Sequence, residues 1–296
     1  MVANVKQVSE LPPGSSGYDI DKEDREQILS TGVSIDEWFR NFRTPSETFA
    51  YPESVNALDW IETENQGQIG TCAGHGGTTV GEGVFALAAG GKAPTFSPWA
   101  HFWLAQKRDG IRGDNGATIA GCIWVGENIG YVPKSHCPPY PKSYRHGWVV
   151  TDEMREAAAP WKLKKHIDVR GYEASLRFLK NGQGFIHHGS RWTRAMDGPG
   201  DKIHDFHGPQ RNDQHGGGHS VCIVGWSALL CPCCQKNYLI VHNSWTRQWG
   251  NDGAKYMCAK AYDDMSADRL TVLQGLSDIA TPRGPRTLEI VGTDFA

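Results

Sequence analysis

The spacing of apolar residues changes along this chain, and that change constrains the fold more than any other feature of the sequence. Between residues 66 and about 165 the apolar residues recur at helical intervals, with a capped helix start predicted at Ser97-Pro98 and a further helix over Gly116 to Asn128. Later in the chain they form short runs rich in β-branched residues, such as 238–242, which are typical of strands. This order predicts the α+β class, with a helical lobe over about 66–165 and a β-rich lobe over about 166–280.

The two ends of the chain differ in composition from the region between them. Residues 1–50 are rich in Pro, Gly, Ser and acidic side chains, with short helical patterns at 21–29 and 35–42. We therefore predict an N-terminal extension over 1–50, a main domain over 51–280 and a C-terminal extension over 281–296. Such extensions would cover the main domain, brace its lobes or hold a partner in a protein assembly.

Composition and charge exclude several classes of protein. The 30 Lys+Arg and 33 Asp+Glu residues give a net charge of −3 without a basic cluster, so no nucleic-acid partner is expected. No apolar run approaches the ~18–20 residues that span a bilayer, so no membrane partner is expected either. The first residues turn polar before an apolar segment forms, which predicts no signal peptide and a cytoplasmic or particle-associated location. Eight cysteines in 296 residues is below disulfide-scaffold density, so free thiols are expected.

A turn-rich loop over residues 65–71 delivers Cys72 to the predicted start of a helix. The unpaired N–H groups and the dipole of a helix N-terminus stabilise negative charge, which favours the nucleophilic thiolate. From position alone, a buried and inert cysteine is about as common as a reactive one. Cys72 is therefore a candidate nucleophile that needs partners.

Two later segments supply candidate partners. His219 stands at the mouth of a predicted strand, and Asn243 follows another strand, next to Trp245 and close to Trp249. A thiolate nucleophile, an imidazole acid and base, and an amide that orients the imidazole together form a catalytic triad. Taken singly, each of these residues has an ordinary structural interpretation.

Together these segments resemble the signature blocks of the papain family of cysteine peptidases. The family's Gln-Gly-x-x-Gly-Ser-Cys block is matched by residues 66–72, with Thr71 in place of the serine. His219 precedes a Val-rich strand as the family histidine does, and 243–245 with 249–250 match the family's Asn-Ser-Trp and Trp-Gly block. The resemblance covers roughly residues 50 to 275.

The resemblance implies a two-lobed papain-like fold, with the cysteine helix in the helical lobe and the His and Asn in a β-barrel-like lobe across a cleft. It implies a catalytic set with no cofactor and no metal: Cys72 as nucleophile, His219 as acid and base, Asn243 orienting His219, and Gln66 binding the oxyanion. It also implies that the substrate is a peptide or protein, bound near Asn115, Gly116, Trp245 and Trp249.

The sequence also departs from the family pattern. The family disulfide joins a cysteine three residues before the nucleophile to one just ahead of an Asn-Gly-Gly segment, and Ile69 and Asp114 stand at those places. Loss of both halves agrees with folding in a reducing compartment. Ala117 replaces a second glycine of the cleft, and Ala73 replaces the usual aromatic residue after the nucleophile, so the shape of the cleft is expected to differ.

Two clusters of metal-binding residue types remain. Cys231, Cys233 and Cys234 lie between the His219 and Asn243 strands, where we favour a reduced hairpin tip over a structural metal; Cys231 and Cys234 do form one C-x-x-C pair, but Cys258 or His242 would be needed nearby. Five further histidines have irregular spacing and are interpreted as solvated loop residues. They are His187, His188, His204, His207 and His215.

The leading hypothesis is a cysteine-type peptidase that hydrolyses peptide bonds through an acyl-enzyme. The alternative is a structural or assembly component, for instance of a virus or phage particle, that retains a papain-like fold and uses its terminal extensions to hold partners. The same triad would also support transfer or deamidation, because an acyl-enzyme reacts with any amine or with water.

Overall fold

The structure is a computed structural model of the 296-residue chain. It describes residues 33–34, 55–56, 61–89, 94–163, 165–180, 184–197, 200–204, 214–267 and 272–277. Within this part of the chain, helices dominate the first half and strands the second half, so the predicted mixture of helix and sheet is confirmed. None of the described helices is long and apolar enough to cross a membrane.

Seven α-helices occur in the described residues. They are α1 (Cys72–Ala89), α2 (Pro98–Asp109), α3 (Ile119–Asn128), α4 (Asp152–Ala158), α5 (Gly171–Lys180), α6 (Arg194–Asp197) and α7 (Ala259–Ala267). The predicted cap of α2 is present, since the Ala100 N–H donates to the Ser97 hydroxyl over 3.2 Å and Pro98 occupies the first turn. Thr118 caps α3 in the same way, and α3 therefore begins three residues later than the predicted Gly116.

Nine of the strands in the described residues form one sheet. Its strands are β1 (Val33–Ser34), β2 (Val55–Asn56), β3 (Lys165–Asp168), β4 (Gly184–Thr193), β5 (Lys202–Ile203), β6 (Gln214–Leu230), β7 (Asn237–His242), β8 (Ala254–Met257) and β9 (Val272–Ser277). Their order is β1-β3-β9-β4-β6-β7-β8-β5, and β2 also pairs with β6. The neighbours β4, β6, β7 and β8 are antiparallel, whereas β5 runs parallel to β8.

Helix α1 packs closely against β4 and β6 because glycines line the contact. A Cβ atom at Gly76 would lie 2.8 Å from His187 Nε2 and 2.9 Å from Ser220 Oγ, which is too close for any larger residue. The glycines that lower the helix propensity of α1 therefore allow the helix to lie directly on the sheet. This contact also brings the helix that begins at Cys72 against the strand that carries His219.

The interpretation of His187 and His188 as solvated loop residues is wrong. Both lie in β4 with no exposed surface. Consecutive strand residues point to opposite faces, so burial of both means that each face of the sheet is covered there. His187 Nε2 lies 2.8 Å from Ser220 Oγ on the side of α1, whereas the His188 ring lies 6.3 Å from that of Tyr262 in α7.

The region 193–218, expected from its Gly, Asp and His content to be a long loop, contains α6, β5 and the start of β6. His204 directly follows β5 and His215 lies in β6, while His207 lies outside the described residues. Most of both predicted extensions also lies outside them, including the helical patterns at 21–29 and 35–42. The exception is β1, which pairs with β3 at the edge of the sheet, Val33 opposite Ile167.

Candidate active site

Cys72 is the first residue of α1 and is fully buried. The helix begins at this residue because the preceding loop already turns, with the Thr71 N–H donating to the Ile69 carbonyl over 2.7 Å. The His75 N–H then donates to the Thr71 carbonyl over 3.0 Å as the first helical bond. The predicted helix start at this position is confirmed, and the thiol lies at the positive end of the helix dipole.

The loop before Cys72 is held by a tyrosine from a distant segment. The Tyr140 hydroxyl donates to the Gln66 carbonyl over 3.1 Å and lies 2.5 Å from the Thr71 hydroxyl. The Tyr140 ring also packs edge-on against the His75 ring at 5.3 Å. One side chain therefore contacts the loop at both ends and fixes the backbone that leads into the helix.

His219 and Asn243 form a direct hydrogen bond. His219 Nε2 lies 2.9 Å from Asn243 Oδ1, and both side chains are buried. The Ser244 N–H donates to the same Oδ1 over 2.8 Å. Because a backbone N–H can only donate, the atom it contacts must be the amide oxygen, and His219 Nε2 must then carry a proton to donate. The second ring nitrogen, Nδ1, is then the one that does not take part in the bond to Asn243.

Two indoles contact the imidazole of His219, and a third packs against those two. The Trp245 ring stacks on the imidazole at 4.7 Å, and the Trp192 ring meets it edge-on at 4.5 Å. Trp249 lies 6.3 Å from each of these two indoles and is 9% exposed. Aromatic walls of this kind keep water from the His219–Asn243 bond and strengthen it. A contribution of Trp245 and Trp249 to substrate binding stays a prediction.

Trp192 was missed by the sequence reasoning. Its position depends on strand pairing, because Ser190 lies opposite His219 and the register then shifts between residues 191 and 193, where the Trp192 ring meets that of His219. The Trp192 Nε1–H donates to Asp197 over 2.6 Å, which anchors the ring. The only sequence signal was a tryptophan near the end of a strand, and that signal gains meaning only when the partner strand is known.

Gln66 is tied to the segment that carries Asn243. The Ser244 hydroxyl donates to Gln66 Oε1 over 2.7 Å, and the Gln66 N–H donates to the Ser244 carbonyl over 2.9 Å. Gln66 Nε2 donates to the Ile69 carbonyl over 3.2 Å, which identifies it as the nitrogen and directs it toward the Cys72 loop. Ser244 is thus a positioning residue that the sequence reasoning had given no role.

The segment that holds Asn115 and Gly116 lies beside the same loop. The Gly70 N–H donates to the Asp114 carboxylate over 2.7 Å, so this segment is joined directly to the loop that ends at Cys72. Gly116 has φ +76°, a conformation that favours glycine, and Gln106 Nε2 donates to its carbonyl over 2.6 Å. The Asn115 side chain is exposed and bonds within its own segment, to the Arg112 carbonyl.

The bond between Asp114 and Gly70 joins the same two segments that a disulfide joins in the papain pattern. We expect Asp114→Ala to lower the free energy of unfolding by about 1 kcal/mol, because a partly exposed charge-assisted hydrogen bond is lost. Asp114→Asn retains an acceptor oxygen and should lose less. Urea unfolding of the three proteins would measure the order; equal stability of all three would show that the bond contributes nothing.

Comparisons with known proteins point to one family. A family model described as papain family cysteine protease matches residues 52–269. A search of curated proteins finds no match. Several solved structures share the fold at low sequence identity.

Three of these structures illustrate the likeness. Xylellain, a cysteine protease from Xylella fastidiosa, is 20% identical with a TM-score of 0.69, over 91% of this chain and 99% of xylellain. Digestive procathepsin L 3 from the larval midgut of Tenebrio molitor is 20% identical with a TM-score of 0.61, over 85% of this chain and 78% of that protein. The bromelain protease of Ananas comosus, solved with the inhibitor E64, is 17% identical with a TM-score of 0.59, over 76% of this chain and 99% of bromelain.

The structural likeness confirms the predicted papain-like fold, and the family model adds the chemistry. Because that model covers most of the sequence, from residue 52 to 269, this chain belongs to the papain family of cysteine proteases, which hydrolyse peptide bonds.

Proposed function

We propose that this protease cleaves peptide and protein substrates through an acyl-enzyme on Cys72, with His219 as acid and base, Asn243 orienting His219, and Gln66 as an oxyanion donor. The observation that carries the proposal is the buried hydrogen bond from His219 Nε2 to Asn243 Oδ1. It leaves Nδ1 as the ring nitrogen that exchanges protons with the thiol, which is the tautomer that the triad requires.

Acylation begins when the Cys72 thiol transfers its proton to His219 Nδ1. The thiolate attacks the substrate carbonyl carbon, a C–S bond forms, and negative charge moves to the carbonyl oxygen. We assign the Cys72 N–H and Gln66 Nε2–H as donors to this oxygen, because donors that are already in position lower the barrier where charge develops. The imidazolium then gives its proton to the leaving amine, the C–N bond breaks, and a thioester remains.

Deacylation reverses these roles. His219 Nδ1 takes a proton from water while the water oxygen attacks the thioester carbonyl carbon. The C–S bond breaks, the imidazolium returns its proton to the departing sulfur, the carboxylic product leaves, and the Cys72 thiol is ready for another cycle. Asn243 contributes in both halves, because its carbonyl oxygen stabilises the imidazolium through the Nε2–H bond.

The segment at Asn115 and Gly116 is our proposed binding surface for the substrate backbone. Support comes from its attachment to the nucleophile loop through Asp114 and from the absence of a side chain at Gly116, which lets an extended peptide approach. Trp245 and Trp249 would contact substrate residues on the other side of the site.

We expect Asn243→Ala to reduce kcat/KM by about 100-fold, because the imidazole loses the bond that orients it. The alkaline limb of the pH–rate profile should also move to lower pH, because the imidazolium loses an acceptor. Hydrolysis of a fluorogenic peptide from pH 6 to pH 9 would measure both effects. Asn251→Ala is the matched control, since that side chain is exposed in the turn before β8. An Asn243→Ala enzyme with an unchanged profile would exclude the assigned role.

A further inference from the structure

Four potential metal ligands from separate parts of the chain meet at one edge of the sheet. His204, Cys231, Cys233 and Cys258 each have one ligand atom within 4.8 Å of all the others. We propose that these residues bind a structural zinc ion. The inference does not depend on the proposed catalytic triad, with which the four residues share no member.

Strand topology explains why these residues converge. Cys231 and Cys233 lie in the turn between β6 and β7, and β8 runs antiparallel to β7, so Cys258 leaves β8 beside this turn. Because β5 runs parallel to β8 with Ile203 opposite Met257, His204 leaves its strand at the same edge. The Cys258 N–H donates to the Ile203 carbonyl over 2.9 Å and the Cys258 thiol to the His204 carbonyl over 3.4 Å, which fixes these two strand ends together.

The distances match a tetrahedral site. In a tetrahedral zinc site, Zn–S bonds of about 2.3 Å and Zn–N bonds of about 2.0 Å separate two sulfurs by about 3.8 Å and a sulfur from a nitrogen by about 3.5 Å. Here Cys233 Sγ lies 3.8 Å from Cys258 Sγ, and His204 Nδ1 lies 3.4 Å from Cys231 Sγ and 3.9 Å from Cys233 Sγ. The sulfurs of Cys231 and Cys233 are 2.9 Å apart, so these two atoms must move apart when the ion binds.

The chemistry of the ligands selects the metal. Three cysteines and one histidine form a set that structural zinc sites commonly use, because zinc accepts sulfur and nitrogen and has no redox chemistry of its own. The Cys231–Cys233 distance of 2.9 Å is well above the ~2.05 Å of a disulfide bond, so the structure shows thiols at this position. Binding would release the thiol protons, leaving thiolates on the ion.

Of the three segments that carry the ligands, β5 is the weakly held one, because β-pairing joins it to β8 through only two residues, whereas β6, β7 and β8 pair along longer stretches. Zinc would link the end of β5 to the β6–β7 turn and to the end of β8. From the sequence, a reduced hairpin tip was favoured over a metal site, which would have needed Cys258 or His242 nearby. The structure supplies Cys258, adds His204, and uses Cys233 where the C-x-x-C pair had suggested Cys234.

The test is the metal content of the full-length protein, expressed with zinc in the medium, purified under reducing conditions and dialysed against a weak chelator. The Cys72→Ala background keeps the active-site thiol from contributing a ligand. We expect about one zinc ion per chain, and less than about a tenth of that in Cys233→Ser and in His204→Ala. Cys233 and His204 are exposed, so both variants should fold. Cys234→Ser, which alters a neighbouring thiol outside the cluster, should keep full zinc.

Cobalt substitution gives a second readout that does not depend on the stability of the variants. The Co²⁺ form of the Cys72→Ala protein should show the visible bands of tetrahedral cobalt and a thiolate-to-cobalt charge-transfer band with the intensity of three thiolates. A protein without zinc after reducing purification would overturn the proposal. Equal zinc content in Cys233→Ser and Cys234→Ser would also overturn it. So would a Cys231–Cys233 disulfide in the peptide map of the protein after purification under reducing conditions.

Discussion

Replacing Cys72 by alanine is expected to abolish peptide hydrolysis, with kcat/KM falling at least about 10⁴-fold. The loss should be this large because the acyl-enzyme forms on the sulfur, and the groups that remain cannot form that covalent intermediate. The fold should survive, because Cys72 opens α1 and alanine has the highest helix propensity. Hydrolysis of a protein substrate and of a fluorogenic peptide would measure the effect, with circular dichroism recorded on the same samples.

Cys137→Ala is the matched control for this experiment. Cys137 likewise carries a thiol, but it follows the short 3₁₀ turn Lys134–His136 and has no assigned role in the proposed triad. Its variant should retain full activity. If Cys72→Ala hydrolyses the substrates as fast as the wild-type protein, the assignment of Cys72 as nucleophile is wrong.

A steep loss of stability in mild acid is the second large effect that we expect. Burial lowers the pKa of His101, His187 and His188 to about 3 and that of His242 to about 4, from an ordinary value of 6.5. Above pH 6.5 these four side chains are neutral in both states and their burial costs no protonation free energy. Below pH 6.5 the unfolded chain binds protons that the folded chain does not, so stability falls until the folded pKa values are reached.

The magnitude follows from the number of groups. Each buried histidine lowers the free energy of unfolding by about 1.4 kcal/mol per pH unit once its unfolded form is protonated. Glu82, whose pKa burial raises to about 8, acts in the opposite direction by about the same amount, so the net loss should be about 4 kcal/mol per unit. Because domains are commonly stable by only about 5–15 kcal/mol, we expect acid unfolding at about pH 4 to 5. Urea titrations at intervals from pH 7.5 to pH 4.5 would measure the slope.

His101 allows a matched test of this explanation. His101 is buried, with its ring stacked on Tyr131 at 4.7 Å, whereas His146 is exposed. His101→Phe should reduce the slope between pH 6 and pH 5 by about 1.4 kcal/mol per unit, and His146→Phe should leave it unchanged. Comparing slopes cancels any effect of the new side chain that does not depend on pH. An unaltered slope in His101→Phe, or a flat stability profile in the wild type, would contradict burial as the cause.

Local sequence signals predicted the elements of the fold well. The start of α1 at Cys72, the Ser97-Pro98 start of α2 and the strands before Asn243 and at 254–257 all follow from spacing, caps and β-branched runs. These signals act within a few residues, so a single sequence contains them. The hydrogen bond between His219 and Asn243 lies beyond their reach, and only the resemblance to a family suggested it.

The features that were missed depend on pairings between distant segments. His187 and His188 looked like loop residues because nothing in their neighbourhood shows that helices cover both faces of β4. Trp192 gains its position from the strand opposite it. His204 and Cys258 meet because β5 and β8 are parallel neighbours, and a two-residue strand such as β5 has no recognisable pattern. In each case, the position of the side chain depends on a contact between segments that are far apart in the sequence.

The most direct test of the central claim is the labelling of the intact protein with the epoxide inhibitor E64 or with iodoacetamide at pH 6 and pH 8, followed by peptide mapping with mass spectrometry. The account predicts fast labelling confined to Cys72 in preference to the other seven cysteines, and loss of that preference in His219→Ala. Slow labelling spread over several cysteines, or Cys72 labelling that His219→Ala leaves unchanged, would contradict an activated thiolate at this site.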